Sequence, residues 1–245
     1  MNDIRIILYK TKFPENIGMV ARACANFACE NLYLVQPGNL NFLNAYPLAT
    51  GQGRSVLENM HIVSNLSDAI NDCHVLFGAT ARTGGWRRNF LSPEEAAQKI
   101  TATGPAKIGL LFGPEDRGLE NSELQDCDYL IKIPTSSGAT SLNLAQSVLI
   151  ILYEVYKHKN LSLKSSASQT IGKLNAQITI KDKKILFENL KEILLEIDYL
   201  HGNNPDYFFQ QWRHLISRFG LKRHEFNALL GLCRQLKNFI KINSS

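Results

Sequence analysis

Three stretches of this 245-residue chain combine residue types and spacings that could do chemistry. The first runs from an apolar segment at residues 129–133, through Pro134 and a loop of small hydroxyl and glycine residues at 135–141, into a long apolar segment from Leu142. A buried strand, a small-residue loop and a helix in succession present bare backbone N–H groups to a ligand, and small side chains let it come close. The second is residues 81–90, ARTGGWRRNF, where Arg82, Arg87 and Arg88 flank two glycines and Trp86. Cations beside an exposed ring suit single-stranded RNA, whose phosphates need charge and whose bases stack. The third, Gly113-Pro-Glu-Asp-Arg-Gly118, has the glycine spacing of a phosphate loop. Leu119-Glu120 stands where lysine and Ser/Thr would grip phosphate and magnesium, so ATP chemistry is not expected. Ser/Gly-rich and basic loops also occur as plain connectors, so composition alone leaves both readings open.

The elements that must hold these stretches alternate. Strand-like runs fall at residues 4–9, 32–35, 61–64, 74–79, 107–112 and 129–133. Between them, residues 15–28 have helical spacing (Ile17, Val20, Ala21, Cys24, Phe27), with Asn16 and Arg22 on different faces. A helical turn is expected at 41–49 and a loop at 51–54. Ser67 is expected to cap a helix at 68–72, and Asn121 another. Ser92-Pro-Glu-Glu95 reads as a capping box with proline at the first helical position. Alternation of this kind predicts an α/β domain over residues 1–159, with a mostly parallel six-stranded sheet and helices on both faces. The segment 142–157 is apolar over more of its circumference than a one-sided helix needs. Residues 160–180 are polar and aperiodic and read as a linker. Residues 181–245 read as three helices, about 182–200, 206–218 and 222–240. In these, Trp212, Leu215 and Phe219 share one face, and Phe226, Leu229, Leu230 and Cys233 another.

Composition narrows the function classes. Hydrophobic residues make up 44% and charged residues 20%, as in an ordinary globular protein. No apolar run approaches a membrane span, and the N-terminus lacks the pattern of a secretion signal, so a cytoplasmic location is expected. The five cysteines form no CxxC pair and, with the six histidines, show no zinc spacing, so no metal is expected. Gly51-Gln-Gly53 lacks the third glycine of a dinucleotide fingerprint. Of the net +5, residues 181–245 hold 11 basic against 7 acidic residues, while residues 1–160 hold 14 against 15. A basic helical extension on a neutral domain points to a polyanionic partner, RNA before membrane.

Three segments together carry a family resemblance: Asn16-Ile-Gly-Met-Val-Ala-Arg22-Ala, Leu111-Phe-Gly-Pro-Glu-Asp-Arg-Gly118-Leu, and Ile133-Pro-Thr followed by Ser141-Leu-Asn143-Leu-Ala. In this order, each at a strand end, they resemble the three motifs of the SPOUT superfamily in its TrmH-like (SpoU) branch, over roughly residues 3–157. The basic tail is similar to that of the TrmJ type of tRNA methyltransferase. The resemblance implies S-adenosyl-L-methionine-dependent methylation of a ribose 2′-hydroxyl, in tRNA at position 32 of the anticodon loop, with rRNA as the alternative substrate. It also implies a homodimer and a C-terminal trefoil knot, which general topology rules would not predict. Carried over by position, the cofactor residues are Ala79, Thr80, Ala81, Gly113, Glu115, Ile133, Ser141, Leu142 and Asn143. Arg22 is catalytic, and Asn16 orients it or the RNA. Arg82, Trp86, Arg87 and Arg88 contact RNA. A neutral Arg22 acting as general base would cost about 9 kcal/mol at pH 7. The expected role is therefore a charged one, gripping a phosphate and stabilising the developing alkoxide. A non-catalytic RNA-binding or assembly factor of the same fold is the competing class. Intact Asn16, Arg22, Glu115 and Asn143 favour the enzyme.

Overall fold

The computed structural model describes residues 3–38, 41–82, 90–138, 141–165, 177–200, 204–218 and 220–243. Strands β1 (Ile4–Tyr9), β2 (Asn31–Val35), β3 (His61–Val63), β4 (Val75–Ala79), β5 (Phe90–Leu91), β6 (Ile108–Phe112) and β7 (Tyr129–Ile131) form one sheet, ordered β3-β2-β1-β6-β4-β7-β5. Every described pairing is parallel. All five residues of β6 and five of the six in β1 are buried, which is why these strands read as continuous apolar runs and not as alternation. The sheet has seven strands where the sequence predicts six. The extra one, β5, spans two residues and pairs Phe90 with Leu130 and Leu91 with Ile131; it is too short to show any period.

The chain first lays β1, β2 and β3 to one side. It then returns to place β6 beside β1 and β4 between β6 and β7. The carboxyl ends of β6, β4 and β7 thus lie side by side, and the loops leaving them meet where the winding direction reverses, the usual place for a ligand crevice.

The helices are α1 (Pro14–Asn26), α2 (Tyr46–Ala49), α3 (Gly53–Glu58), α4 (Leu66–Ile70), α5 (Pro93–Ala102), α6 (Asn121–Leu124), α7 (Leu144–Ser165), α8 (Ile180–Glu196), α9 (Pro205–Arg218) and α10 (Arg223–Asn243). Proline at its first position starts α1. Its end turns through Ala28 at φ 51°, with the Cys29 N–H donating to the Cys24 carbonyl at 2.9 Å. The Ser92–Glu95 capping box forms at α5 as the sequence predicts. Three local expectations are corrected. Asn65, not Ser67, stands at the N-cap of α4. Glu120, not Asn121, caps α6 through a reciprocal box with Glu123. Residues 53–54, expected in a loop, begin α3 because Gly53 packs directly on α1.

Helix α7 packs against α1 and α5 and buries Leu144, Ala145, Val148, Ile151, Leu152 and Val155 in the main core. It continues to Ser165, past the residue where the sequence reading begins its polar linker. All five cysteines are free and buried, and burial pushes the Cys73 thiol up to about 11.

The chain divides into two compact units, Met1–Gln169 and Thr170–Ser245. In the second, Ile178, Leu186, Ile193, Phe226 and Cys233 form one cluster and Phe187, Leu194, Leu200 and Phe209 another. Arg223 donates both guanidinium nitrogens to Asp182, at 2.8 and 2.7 Å, tying α10 to the start of α8. Trp212 packs inward, but Leu215, predicted to share its face, is 38% exposed. Ile216 joins the core instead. Phe219 lies outside the described residues.

Candidate active site

The loops leaving β4, β6 and β7 line an open pocket. Ala79, Thr80 and Ala81 follow β4; Gly113 and Glu115 follow β6; Ile133, Ser141 and Leu142 lie between β7 and α7. All eight line the pocket. The sequence reading did not assign Phe112, Ile131, Leu144 or Ser147 to the site, and they supply more wall. Phe112 and Leu144 lie within the quoted motif segments, and Ile131 and Ser147 lie two residues beyond them. The Thr80 N–H donates to the Ile131 carbonyl at 3.0 Å, and its hydroxyl oxygen accepts from the Arg82 N–H at 3.1 Å, so the turn after β4 is pinned. A Cβ on Gly113 would overlap the backbone of Gly118 and Leu119, so only glycine allows the loop after β6 to fold back on itself.

Asn143 does not line the pocket. Its side-chain oxygen accepts from the Ala145 N–H at 2.8 Å and caps α7. Its amide donates to Asn16 Oδ1 at 2.9 Å, and Asn16 Nδ2 donates to Glu115 Oε1 at 2.8 Å. Glu115 Oε2 accepts the Lys12 backbone N–H at 3.1 Å. One polar chain thus ties together the three motif segments around the pocket. Asn16 is buried, and one hydrogen of its amide and one lone pair of its oxygen are already committed to protein. Lys12, missed by the sequence reading, also pairs with Asp116 at 2.6 Å. It sits in an ordinary-looking turn with no motif of its own.

Arg22 is elsewhere. It lies on the exposed side of α1, and its side chain has no hydrogen bond or ion pair among the described residues. Gly53 packs against its backbone: a Cβ there would sit 2.9 Å from the Arg22 Cα. Gly18 likewise meets the Ala45 carbonyl. These two glycines seat α2 and α3 on α1 and fix the helix that carries Asn16 and Arg22. Arg82 lines a groove next to the pocket. Trp86, Arg87 and Arg88 lie outside the described residues. Among the described residues no cluster could hold a metal ion, and no helix is long and apolar enough to cross a membrane.

The pocket offers what an adenosyl group needs: backbone groups at strand ends, apolar walls from Phe112, Ile131, Ile133 and Leu142, and hydroxyls from Thr80 and Ser141. By architecture this is an α/β domain with a ligand crevice at the carboxyl ends of its strands, where the winding reverses. The solved structure of TrmJ from Z. mobilis ZM4 superposes with a TM-score of 0.77 at 28% identity, covering 95% of this chain and 98% of that one. The model of the SpoU rRNA methylase family matches residues 3–153. The chain belongs to the SpoU rRNA methylase family and is a methyltransferase. It is 31% identical over its whole length to a tRNA (cytidine/uridine-2′-O-)-methyltransferase TrmJ of Escherichia coli strain K12, covering 99% of that protein. It is 30% identical over 95% of its length to a tRNA (cytidine/uridine/adenosine-2′-O-)-methyltransferase TrmJ of Pseudomonas aeruginosa, covering 93% of it.

Proposed function

We propose that this enzyme transfers the methyl group of S-adenosyl-L-methionine to a ribose 2′-hydroxyl of tRNA, at position 32 of the anticodon loop. Full-length similarity to tRNA 2′-O-methyltransferases supports the substrate class. The observation that carries the reading is the polar chain from Asn143 through Asn16 to Glu115, because it assembles all three motif segments around one pocket. A binding factor that holds no cofactor would not require that assembly.

In this reading Ala79, Thr80, Ala81, Gly113, Ile133, Ser141 and Leu142 hold the cofactor, which supplies the activated methyl group when bound. Glu115 lines the same pocket, and with Asn143, which stands behind the wall, it braces the loops. Asn16 is a positioning residue more than a participant, since its amide is engaged by both neighbours. Arg22 stays protonated, holds a phosphate beside the target ribose and stabilises charge building on the 2′-oxygen. Correct alignment of the attacking oxygen supplies much of the acceleration. The helical extension, residues 181–245, adds RNA contacts through its basic excess, and residues 160–180 join it to the catalytic domain. The enzyme works in the cytoplasm as a homodimer. By the family resemblance, the segment from β7 into α7 forms the trefoil knot.

The test is methyl transfer from labelled cofactor to bulk tRNA and rRNA, followed by mapping of the modified nucleotide. Label in the ribose of nucleotide 32 of tRNA is expected. Label confined to rRNA would move the assignment to the alternative substrate, and cofactor binding without transfer to either would replace it with a binding role.

A further inference from the structure

Next to the cofactor pocket lies a broader open groove, bounded by β5, the end of β7 and the loop after β6. It shares Thr80, Ala81, Glu115, Gly118, Thr135 and Ser141 with the pocket, so whatever lies in it reaches the pocket directly. Its charges balance in number: Glu95, Glu115 and Asp116 against Arg82, Arg117 and Lys132. They do not balance in availability. Glu95 accepts the Ser92 N–H at 2.7 Å, Glu115 is bound on both oxygens, and Asp116 pairs with Lys12. Arg117 is paired with Glu120. The side chains of Lys132 and Arg82 have no partner among the described residues.

Lys132 differs from an ordinary surface lysine. It is half-buried, and its backbone N–H donates to the Leu91 carbonyl at 2.9 Å, so its base is fixed on the sheet just beyond β7. Two uncommitted cations face a wall of small hydroxyls, Ser136 and Ser137 among them. That combination suits a mobile oxyanion, because the two cations have no competing partner and Asp116 is charge-paired with Lys12, while neutral donors hold the Glu95 and Glu115 carboxylates in place.

We infer that Lys132, with Arg82, grips the phosphodiester backbone of the RNA beside the target ribose, and that this groove seats the substrate strand. The inference rests on the tRNA reading above. The same oxyanion chemistry could belong to the carboxylate of the cofactor's methionine end, so the experiment has two arms.

Full-length wild type, Lys132→Ala and Lys132→Arg are compared for affinity to a tRNA transcript across a salt series, and for affinity to S-adenosyl-L-methionine by calorimetry. In the alanine variant the slope of log affinity against log salt should fall by about 0.7 to 0.9, the value of one phosphate contact, with a roughly fivefold loss at moderate salt. The arginine variant should restore both, and cofactor affinity should not move. Weaker cofactor binding with an unchanged salt slope would assign Lys132 to the methionine carboxylate and overturn the inference. So would unchanged behaviour in both arms. If wild type itself neither binds nor methylates tRNA, the tRNA reading fails, and a normal wild type beside a silent Lys132→Ala isolates the failure to this groove.

Discussion

Arg22 and Asn16 are six residues apart on one helix, yet the structure gives them different tasks. The Arg22 side chain is exposed and has no partner among the described residues, while Asn16 is buried between Glu115 and Asn143. Arg22→Ala should therefore lower methyl-transfer turnover by about 100-fold or more, the scale of losing one charge-stabilising donor. Its cofactor affinity should change by less than about tenfold, because no pocket-lining group is touched. Single-turnover kinetics and calorimetry on the same variant check both halves. Asn16→Ala should behave differently. It leaves the Glu115 carboxylate and the Asn143 amide each one bond short in a partly buried setting, a cost of about 1–3 kcal/mol. Thermal or denaturant unfolding should show the loss. An unfolding midpoint equal to wild type would mean the chain of side chains braces nothing.

Elements are joined by a small number of such ties. Arg5, in β1, donates to the Ala69 carbonyl at 2.5 Å and to both oxygens of Asp72, at 2.6 and 3.0 Å, and Lys107 reaches the same carboxylate at 2.9 Å. These bonds fasten the end of α4 to the sheet. The Arg5 guanidinium, followed by Lys107, holds the Asp72 carboxyl well below the usual carboxylate range. A carboxylate whose folded pKa is depressed stabilises the fold above its unfolded pKa, about 3.9, and loses that contribution as pH falls towards the folded value. Stability should thus decline below about pH 4 in wild type. Asp72→Asn should be less stable at neutral pH and show a shallower decline in the acid range, measured by urea unfolding at a series of pH values. Asp72 is half exposed, so solvent screening keeps the contribution modest.

At the scale of the molecule, α7 carries more apolar surface than one chain covers. Its inner arc packs against α1 and α5, but Leu149, Tyr153 and Tyr156 remain 42%, 51% and 40% exposed. The Phe27 ring leans on both tyrosines, with centroids at 6.3 and 5.5 Å, and widens the patch. The proposed homodimer would cover this face across a two-fold axis. Light scattering at low micromolar concentration should give about 55 kDa, twice the 27.5 kDa chain. Leu149→Glu should shift the mass towards monomer and weaken methyl transfer. Leu149 is the better probe than its neighbour Ile150, which is already half-buried within the chain. A wild-type mass near 27.5 kDa with full activity would show that the patch serves another end.

Six of the seven strands, the capping box at Ser92 and the three motif segments at strand ends were legible in the sequence, because each depends on residues close together in the chain. Local chemistry decides where a strand stops, which residue starts a helix and where small residues line a loop. Contacts between distant residues were not legible. Asn16 meets Glu115 and Asn143 across 99 and 127 positions, and only the order β6-β4-β7 brings those loops together. The same holds for β5, which is a strand only because β7 is beside it, and for Gly53, whose missing side chain matters only where α3 meets α1. A periodic pattern reports which side of an element is apolar. Which partner covers that side, and which polar groups are left free for a substrate, is settled by tertiary packing.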